Sequence, residues 1–246
     1  MRKLYMAIAA FAALLFSQIG HAIPTIPGAT DVATNDGETY YALMEQGSGW
    51  VIAGYDANGV ATGFVTQLTA NGNNISNAKA RYVGLAFDGT SFMAMRNDNI
   101  SAVNRDSYSV LSFDFAGQKT GVTQLVNGSG ANILASQVVY TGLSVAEEGM
   151  FALRNDLISP KGTDSWSLIN FDMAGQLNKA GNRVGVDGVL ASSIDYNAVA
   201  SFNQSPAVFQ LKSNPEASVP EPATALLLGS LLGLGAMRRK LTKAAA

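Results

Sequence analysis

Two stretches of this 246-residue chain are the same sentence written twice. GLAFDGTSFMAMRNDNISAVNRDSYSVLSFDFAGQ, Gly84 to Gln118, aligns without a gap on GLSVAEEGMFALRNDLISPKGTDSWSLINFDMAGQ, Gly142 to Gln176. Gly-Leu at the start, Arg-Asn-Asp and Ile-Ser in the middle, and Phe-Asp-x-Ala-Gly-Gln at the end are shared. A third copy precedes them, with Asp36-Gly37 and Tyr40-Tyr41-Ala42-Leu43 matching Asp88-Gly89 and Phe92-Met93-Ala94-Met95. A partial fourth begins near Ile194 and runs through Val208-Phe209-Gln210-Leu211. Units of this size cannot each bury an apolar face alone, so whatever one copy becomes, its neighbours become too, and they pack on one another.

Each full copy holds about four short apolar or alternating runs broken by Gly, Asn and Asp. In the second copy these are Arg81 to Phe87, Ser91 to Arg96, Tyr108 to Asp114 and Val122 to Val126. Such runs, with Asp-Gly and Ala-Gly breaks between them, predict strands joined by hairpins. The central part keeps no 3.6-residue apolar period for long, which argues against helices. Four strands per repeat is the proportion of a propeller blade, and GLAFDG followed by YSVLSFDFAG resembles a generic one. The expectation is an all-β, repeat-built, small β-propeller-like domain, with a β-sandwich as the alternative. The fourth copy lacks an obvious final strand, so either the segment around Ile23 to Thr30 completes it, against the handicap of Pro24 and Pro27, or the ring is open.

The ends differ from this domain. Arg2 and Lys3, then thirteen apolar residues, then small residues at Gly20 and Ala22, have the order of a cleavable signal for secretion, with signal peptidase as the partner and Ile23 as the new N-terminus. At the other end, Ala223 to Met237 is uncharged and apolar but shorter than the roughly 20 residues that usually span a bilayer. Arg238, Arg239, Lys240 and Lys243 follow and would stay on the cytoplasmic side. Val219-Pro220-Glu221-Pro222, the apolar stretch and the basic end together resemble the PEP-CTERM sorting signal of Gram-negative bacteria. The resemblance implies recognition and cleavage near Pro220-Glu221-Pro222 by an exosortase, then release or surface attachment, often in bacteria that make extracellular polysaccharide. It covers about the last 28 residues and implies no activity for the domain it carries. The expected organisation is a signal peptide over 1–22, the repeat-built domain over 23–213, a linker over 214–222 and a short apolar span with a basic tail over 223–246.

The chain has 16 Lys and Arg against 18 Asp and Glu, but six of the cations and only one of the carboxylates lie in the end segments. Between Ile23 and Ser218 that leaves ten against seventeen, a net charge of −7, which argues against nucleic acid as a partner. There is no cysteine, and the one histidine, His21, lies inside the signal. That removes Ser-His-Asp and Cys-His nucleophiles, zinc sites built on His or Cys, and the usual haem and iron-sulfur ligands from the processed domain. No cofactor, metal site or catalytic residue is assigned.

Carboxylate chemistry survives this exclusion, since a glycosidase needs only two Asp or Glu residues at a suitable separation. Asp98 and Asp156, each preceded by Arg and Asn, occupy equivalent places in neighbouring repeats. Arg96, Asn97, Asp98, Arg154, Asn155 and Asp156 are therefore the candidate ligand-binding residues, although Arg beside Asp at a strand end also serves as an ion pair or turn cap. Trp50, Tyr108 and Trp166 precede the third strand of each repeat, where they either stack on sugar rings or pack between sheets. Asp56-Ala57-Asn58-Gly59 carries the start of a calcium-loop pattern but lacks its later ligands, and reads as a hairpin turn, as do Asp114 and Asp172 with their glycines. The expected function is a non-enzymatic surface or extracellular-matrix protein associated with polysaccharide, the alternative being a carboxylate-dependent glycosidase or lyase acting on such polymers.

Overall fold

The computed structural model describes residues 24, 26–158, 162–183, 198–202 and 205–209. The processing residues named above, Gly20 and Ala22 at one end and Val219, Pro220, Glu221, Pro222, Arg238 and Arg239 at the other, lie outside the described residues, as do the linker and the apolar span. Residues 23–212 cluster as one unit.

Among the described residues every regular element is a strand. In chain order they are β1 (Ala29–Ala33), β2 (Thr39–Gln46), β3 (Gly49–Asp56), β4 (Ala61–Gln67), the short β5 (Thr69–Ala70) and β6 (Asn73–Asn74), β7 (Arg81–Phe87), β8 (Phe92–Asn97), β9 (Tyr108–Phe113), β10 (Lys119–Gln124), β11 (Val139–Ala146), β12 (Gly149–Asn155), β13 (Trp166–Phe171), β14 (Leu177–Arg183), β15 (Ala198–Phe202) and β16 (Ser205–Phe209). They form three antiparallel four-stranded meanders, β1 to β4, β7 to β10 and β11 to β14, with β15 and β16 paired as a hairpin. The all-β expectation holds, and the four runs marked in the second copy fall on β7 to β10. Of the segment around Ile23 to Thr30, left open as a completing strand for the last repeat, Ala29 and Thr30 belong to β1, which pairs with β2 in the first sheet.

The first strands sit together. β7 lies between β1 and β11, β11 also neighbours β15, and β15 neighbours β1. β1, β7 and β11 each carry a bulge within one residue of the same level, between Ala29 and Asp31, Tyr82 and Gly84, and Thr141 and Leu143. Gly84 and Gly142 lie at these bulges, Gly142 with a left-handed φ of +67° and Gly84 where nothing larger fits. A Cβ on Gly84 would come within 2.8 Å of the Gly142 carbonyl carbon and of Leu143.

Neighbouring sheets are joined by a contact that repeats with the sequence. The Trp50 indole N–H donates to the Ala80 carbonyl at 2.8 Å, and the Tyr108 hydroxyl donates to the Val138 carbonyl at 3.0 Å. Trp50 meets Tyr82 edge-on with ring centroids 5.3 Å apart, and Tyr108 meets Tyr140 the same way at 5.2 Å. Trp50, Tyr108 and Trp166 are all fully buried, so their place is in the core between strands and none presents a face to a sugar.

The Phe-Asp-x-Ala-Gly-Gln motif makes the second joint. Asp114 and Asp172 accept the N–H of Gln118 and Gln176, both at 2.8 Å, and close tight turns. Asp56 does the same for Asn58 and Val60. Gly117 and Gly175 have φ of +75° and +87°, and each lies so close to the preceding sheet that a Cβ would run into the Gln67 or Gln124 carbonyl. The Thr69 N–H donates to the Gly117 carbonyl at 2.8 Å and the Val126 N–H to the Gly175 carbonyl at 2.9 Å, which ties the segment just after the last strand of one sheet to the last hairpin of the next. Replacing Gly117 by Ala adds the left-handed penalty of about 1–2 kcal/mol to a backbone clash. A urea midpoint lowered by at least that much at unchanged m is expected, whereas Gly128→Ala, with open space around its Cβ, should shift stability by less than about 0.5 kcal/mol.

Candidate functional site

The two Arg-Asn-Asp triplets adopt the same arrangement in both repeats. β8 and β12 each end in the Arg and Asn, and the Asp follows at the first turn beyond. Asp98 is buried, and its carboxylate accepts from Arg96 Nε at 2.6 Å, Ser107 Oγ at 3.0 Å and Ser109 Oγ at 2.9 Å. Asp156 is likewise buried and accepts from Arg154 Nε at 2.7 Å, Ser165 Oγ at 3.0 Å and Ser167 Oγ at 2.5 Å. Asn97 and Asn155 turn their side-chain oxygens back onto the loop, accepting from the Asn99 and Leu157 amides. Each triplet thus braces the long loop between the second and third strands of its own repeat. A carboxylate this fully engaged is a poor base or nucleophile, because any substrate must first displace an arginine and two hydroxyls.

For Asp156, burial pushes the carboxyl up, but the hydrogen bonds from Ser167, Arg154 and Ser165 outweigh it and hold the group below the usual carboxylate range. That makes the ion pair a contributor to stability at neutral pH.

Sequence reasoning passed over a third carboxylate. Asp31 lies on β1 at the bulge position that is glycine in β7 and β11, and it is completely buried. Its Oδ2 accepts from the Leu85 N–H at 2.6 Å and the Leu143 N–H at 3.0 Å, while Oδ1 accepts from its neighbour Val32 at 2.9 Å. Val32, Leu85 and Leu143 are the residues that follow the bulge in each of the three inner strands. One side chain therefore collects the equivalent amide from three repeats, on strands that are each the edge of their own sheet. Burial pushes the Asp31 carboxyl well above the ordinary range, against the pull of the three amides. The signal was present in the sequence as a lone acid inside the apolar run Ala29-Thr30-Asp31-Val32-Ala33.

Just beyond Asp31, at the ends of the same strands, lies a shallow recess lined by Ala33, Thr34, Ala86, Phe87, Leu143, Ser144 and Val145. It has no room for a water-sized sphere, so it is not a ligand pocket. The Ser144 hydroxyl, buried beside it, has no hydrogen-bond partner among the described residues, and neither does the Tyr82 hydroxyl. Burial pushes the Tyr82 phenol above its usual range, so it stays protonated. Among the described residues no group of three or more acidic side chains is placed to hold a metal ion.

No family model matches the chain, and no curated protein matches it. Among solved structures it is similar to a protein of unknown function from Bacteroides caccae, with a TM-score of 0.36 and 12% identity over 76% of this chain and 58% of that one. It is also similar to the PQQ-bound aldose sugar dehydrogenase from Streptomyces coelicolor, with a TM-score of 0.35 and 11% identity over 81% of each chain. At these scores neither likeness bears on the residues described above.

The two kinds of carboxylate titrate with opposite consequences. The Asp156 pair stabilises the fold above the unfolded-state pKa of about 3.9, and this is lost as pH falls through the lower folded value. Asp31 binds its proton more tightly when folded, so its contribution is full below about pH 3.9 and is lost as pH rises towards its folded value. The stability of wild type relative to Asp31→Asn should therefore decline from pH 4 upward, by up to about 1.4 kcal/mol per pH unit. Relative to Asp156→Asn it should stay high above pH 4, by about 3 kcal/mol, and shrink below it. Urea titrations across pH 3 to 8 check both signs.

Proposed function

We propose that this chain is an exported, exosortase-processed surface or extracellular-matrix protein, non-enzymatic and associated with extracellular polysaccharide. In this reading the described domain is a small β-propeller. The three meanders are blades, β15 and β16 begin a fourth, and β1, β7, β11 and β15 line the axis. Support for that geometry comes from the mutual packing of the four first strands and from joints that recur with the repeat.

The observation that carries the non-enzymatic part is the occupation of Asp98 and Asp156. The residues that repeat with the fold serve the fold, and their carboxylates are bound to arginine and serine. The export route rests on the sequence of the ends, above all the order Pro-Glu-Pro, apolar stretch, arginines. A span too short to be a firm anchor suits a tail that is held at the membrane until it is cut. An association with polysaccharide follows from the setting in which such tails occur.

Intact-mass analysis of the protein from cells with and without a functional exosortase tests the route. A species that begins at Ile23 and ends near Pro220 to Pro222 only when the enzyme is present is the expected result. An untrimmed tail in both strains would make the span a plain anchor and overturn the proposal.

A further inference from the structure

Antiparallel meanders put the turns after first and third strands at one end of a sheet and those after second strands at the other. The shared direction of β1, β7 and β11, fixed by the common reach of Asp31 and by the recess at their C-terminal ends, brings like ends together. One end holds the tight turns and is acidic. The first sheet's turns there carry Asp36, Glu38 and Asp56, the second's Asp88 and Asp114, and the third's Glu147, Glu148 and Asp172. Lys119 and Lys179 are the cations on the strands that begin at this end.

The long loops are at the opposite end. Residues 98–107 and 156–165 join second to third strands in the second and third sheets, where the first sheet makes the same connection with Gly47 and Ser48 alone. Both loops carry aliphatic tips. Ile100 and Ile158 hold equivalent places in the two repeats and are 58% and 53% exposed, and Val103 and Leu157 are exposed beside them. The tips are held in position, because Asn97 Oδ1 accepts the Asn99 and Ile100 amides and Asn155 Oδ1 accepts the Leu157 amide. Among the described side chains this end is electrically balanced. Arg81, Arg96 and Arg154 pair with Glu45, Asp98 and Asp156, and Lys79 and Arg105 stand against Asp106 and Asp164.

We propose that this end of the domain rests on a lipid bilayer, with Ile100, Val103, Leu157 and Ile158 inserted at its surface, while the tail holds the chain at the membrane. The inference rests on the export reading for the tail and on the propeller reading for the exit of the chain. In the latter β15 runs alongside β11 as a first strand, so its antiparallel partner β16 returns the chain to the long-loop end at Phe209. Residues 210–222 then lead to the apolar stretch that begins at Ala223, a tether of about 45 Å at full extension. A bilayer is thus within reach of the loops, and a tethered domain loses little further freedom on settling against it. Aliphatic tips suit hydrocarbon, whereas the aromatic side chains that anchor protein contacts are absent from both loops. An anionic lipid surface repels the acidic end and accepts the balanced one, so charge selects which end faces the membrane.

The chain has no cysteine, so single cysteines can report position. The untrimmed exported form, residues 23–246, is reconstituted into vesicles of phosphatidylethanolamine and phosphatidylglycerol that carry an acyl-chain nitroxide. Fluorophores on Ile100→Cys and Ile158→Cys should lose most of their emission to the nitroxide, and those on Val60→Cys and Met173→Cys, at the acidic end, should keep theirs. Ile100→Glu with Ile158→Glu should free a label on Val103→Cys from quenching while the protein still floats with the vesicles. Tip labels quenched no more than those at the acidic end, on a chain that floats, overturn this proposal and leave the membrane-held tail standing. A chain that does not float overturns the tail reading and this proposal with it. Tip labels that the nitroxide does not reach, but that a higher protein density in the vesicles shields from iodide, identify a second copy as the cover and also overturn it. Circular dichroism confirms that the variants are folded.

Discussion

The structure turns on a problem created by packing several sheets edge to edge by their first strands. Those strands approach so closely that a side chain must be absent at Gly84, and as the edges of their sheets they carry amides that their one hydrogen-bonded neighbour does not satisfy. A buried amide without an acceptor costs about 1–3 kcal/mol. Asp31 answers three such amides at once, and glycine at 84 makes room for the neighbouring strand at Gly142 and Leu143. The solution breaks the repeat, since only one copy can supply the acid and the others must supply the space. Its cost is a carboxyl group buried without a cation, which is why burial dominates its titration.

Away from the axis the same economy works without breaking the symmetry. Trp50 and Tyr108 do one task in two places, filling the junction between sheets and using their polar atom to satisfy a carbonyl at the start of the next repeat. Gly117 and Gly175 are the complementary device, small where a turn must lie against the neighbouring strand. The triplets Arg96-Asn97-Asp98 and Arg154-Asn155-Asp156 add an internal brace for loops too long to hold themselves. Polar residues that recur with the fold are here accounted for by the fold, which leaves the differences between repeats, mostly at loop tips, as the surface on which partners can act.

Much of this was legible in advance because repetition is visible in a string of letters. The strands of the second copy, the hairpin turns at Asp56, Asp114 and Asp172, and the all-β class follow from alternation and turn residues, which are local. Asp31 escaped because its meaning is not local. Its partners are 54 and 112 residues away, and only the register of three strands reveals that it stands where the other copies have glycine. The part played by the segment around Ile23 to Thr30 stayed open between two alternatives for a related reason. Its two prolines argue for an edge, and β1 is the edge of its sheet in hydrogen-bonding terms, though it is the edge that faces the axis.

The two tryptophans of the chain, Trp50 and Trp166, are buried at equivalent places in the first and third sheets. Indole emission from each reports the packing around a different repeat, with no label and no added chromophore. The chain therefore carries a built-in optical gauge of its own cooperativity. If the joints between sheets bind the repeats into one unit, both indoles enter water together, and if they do not, one repeat signals its loss before the other.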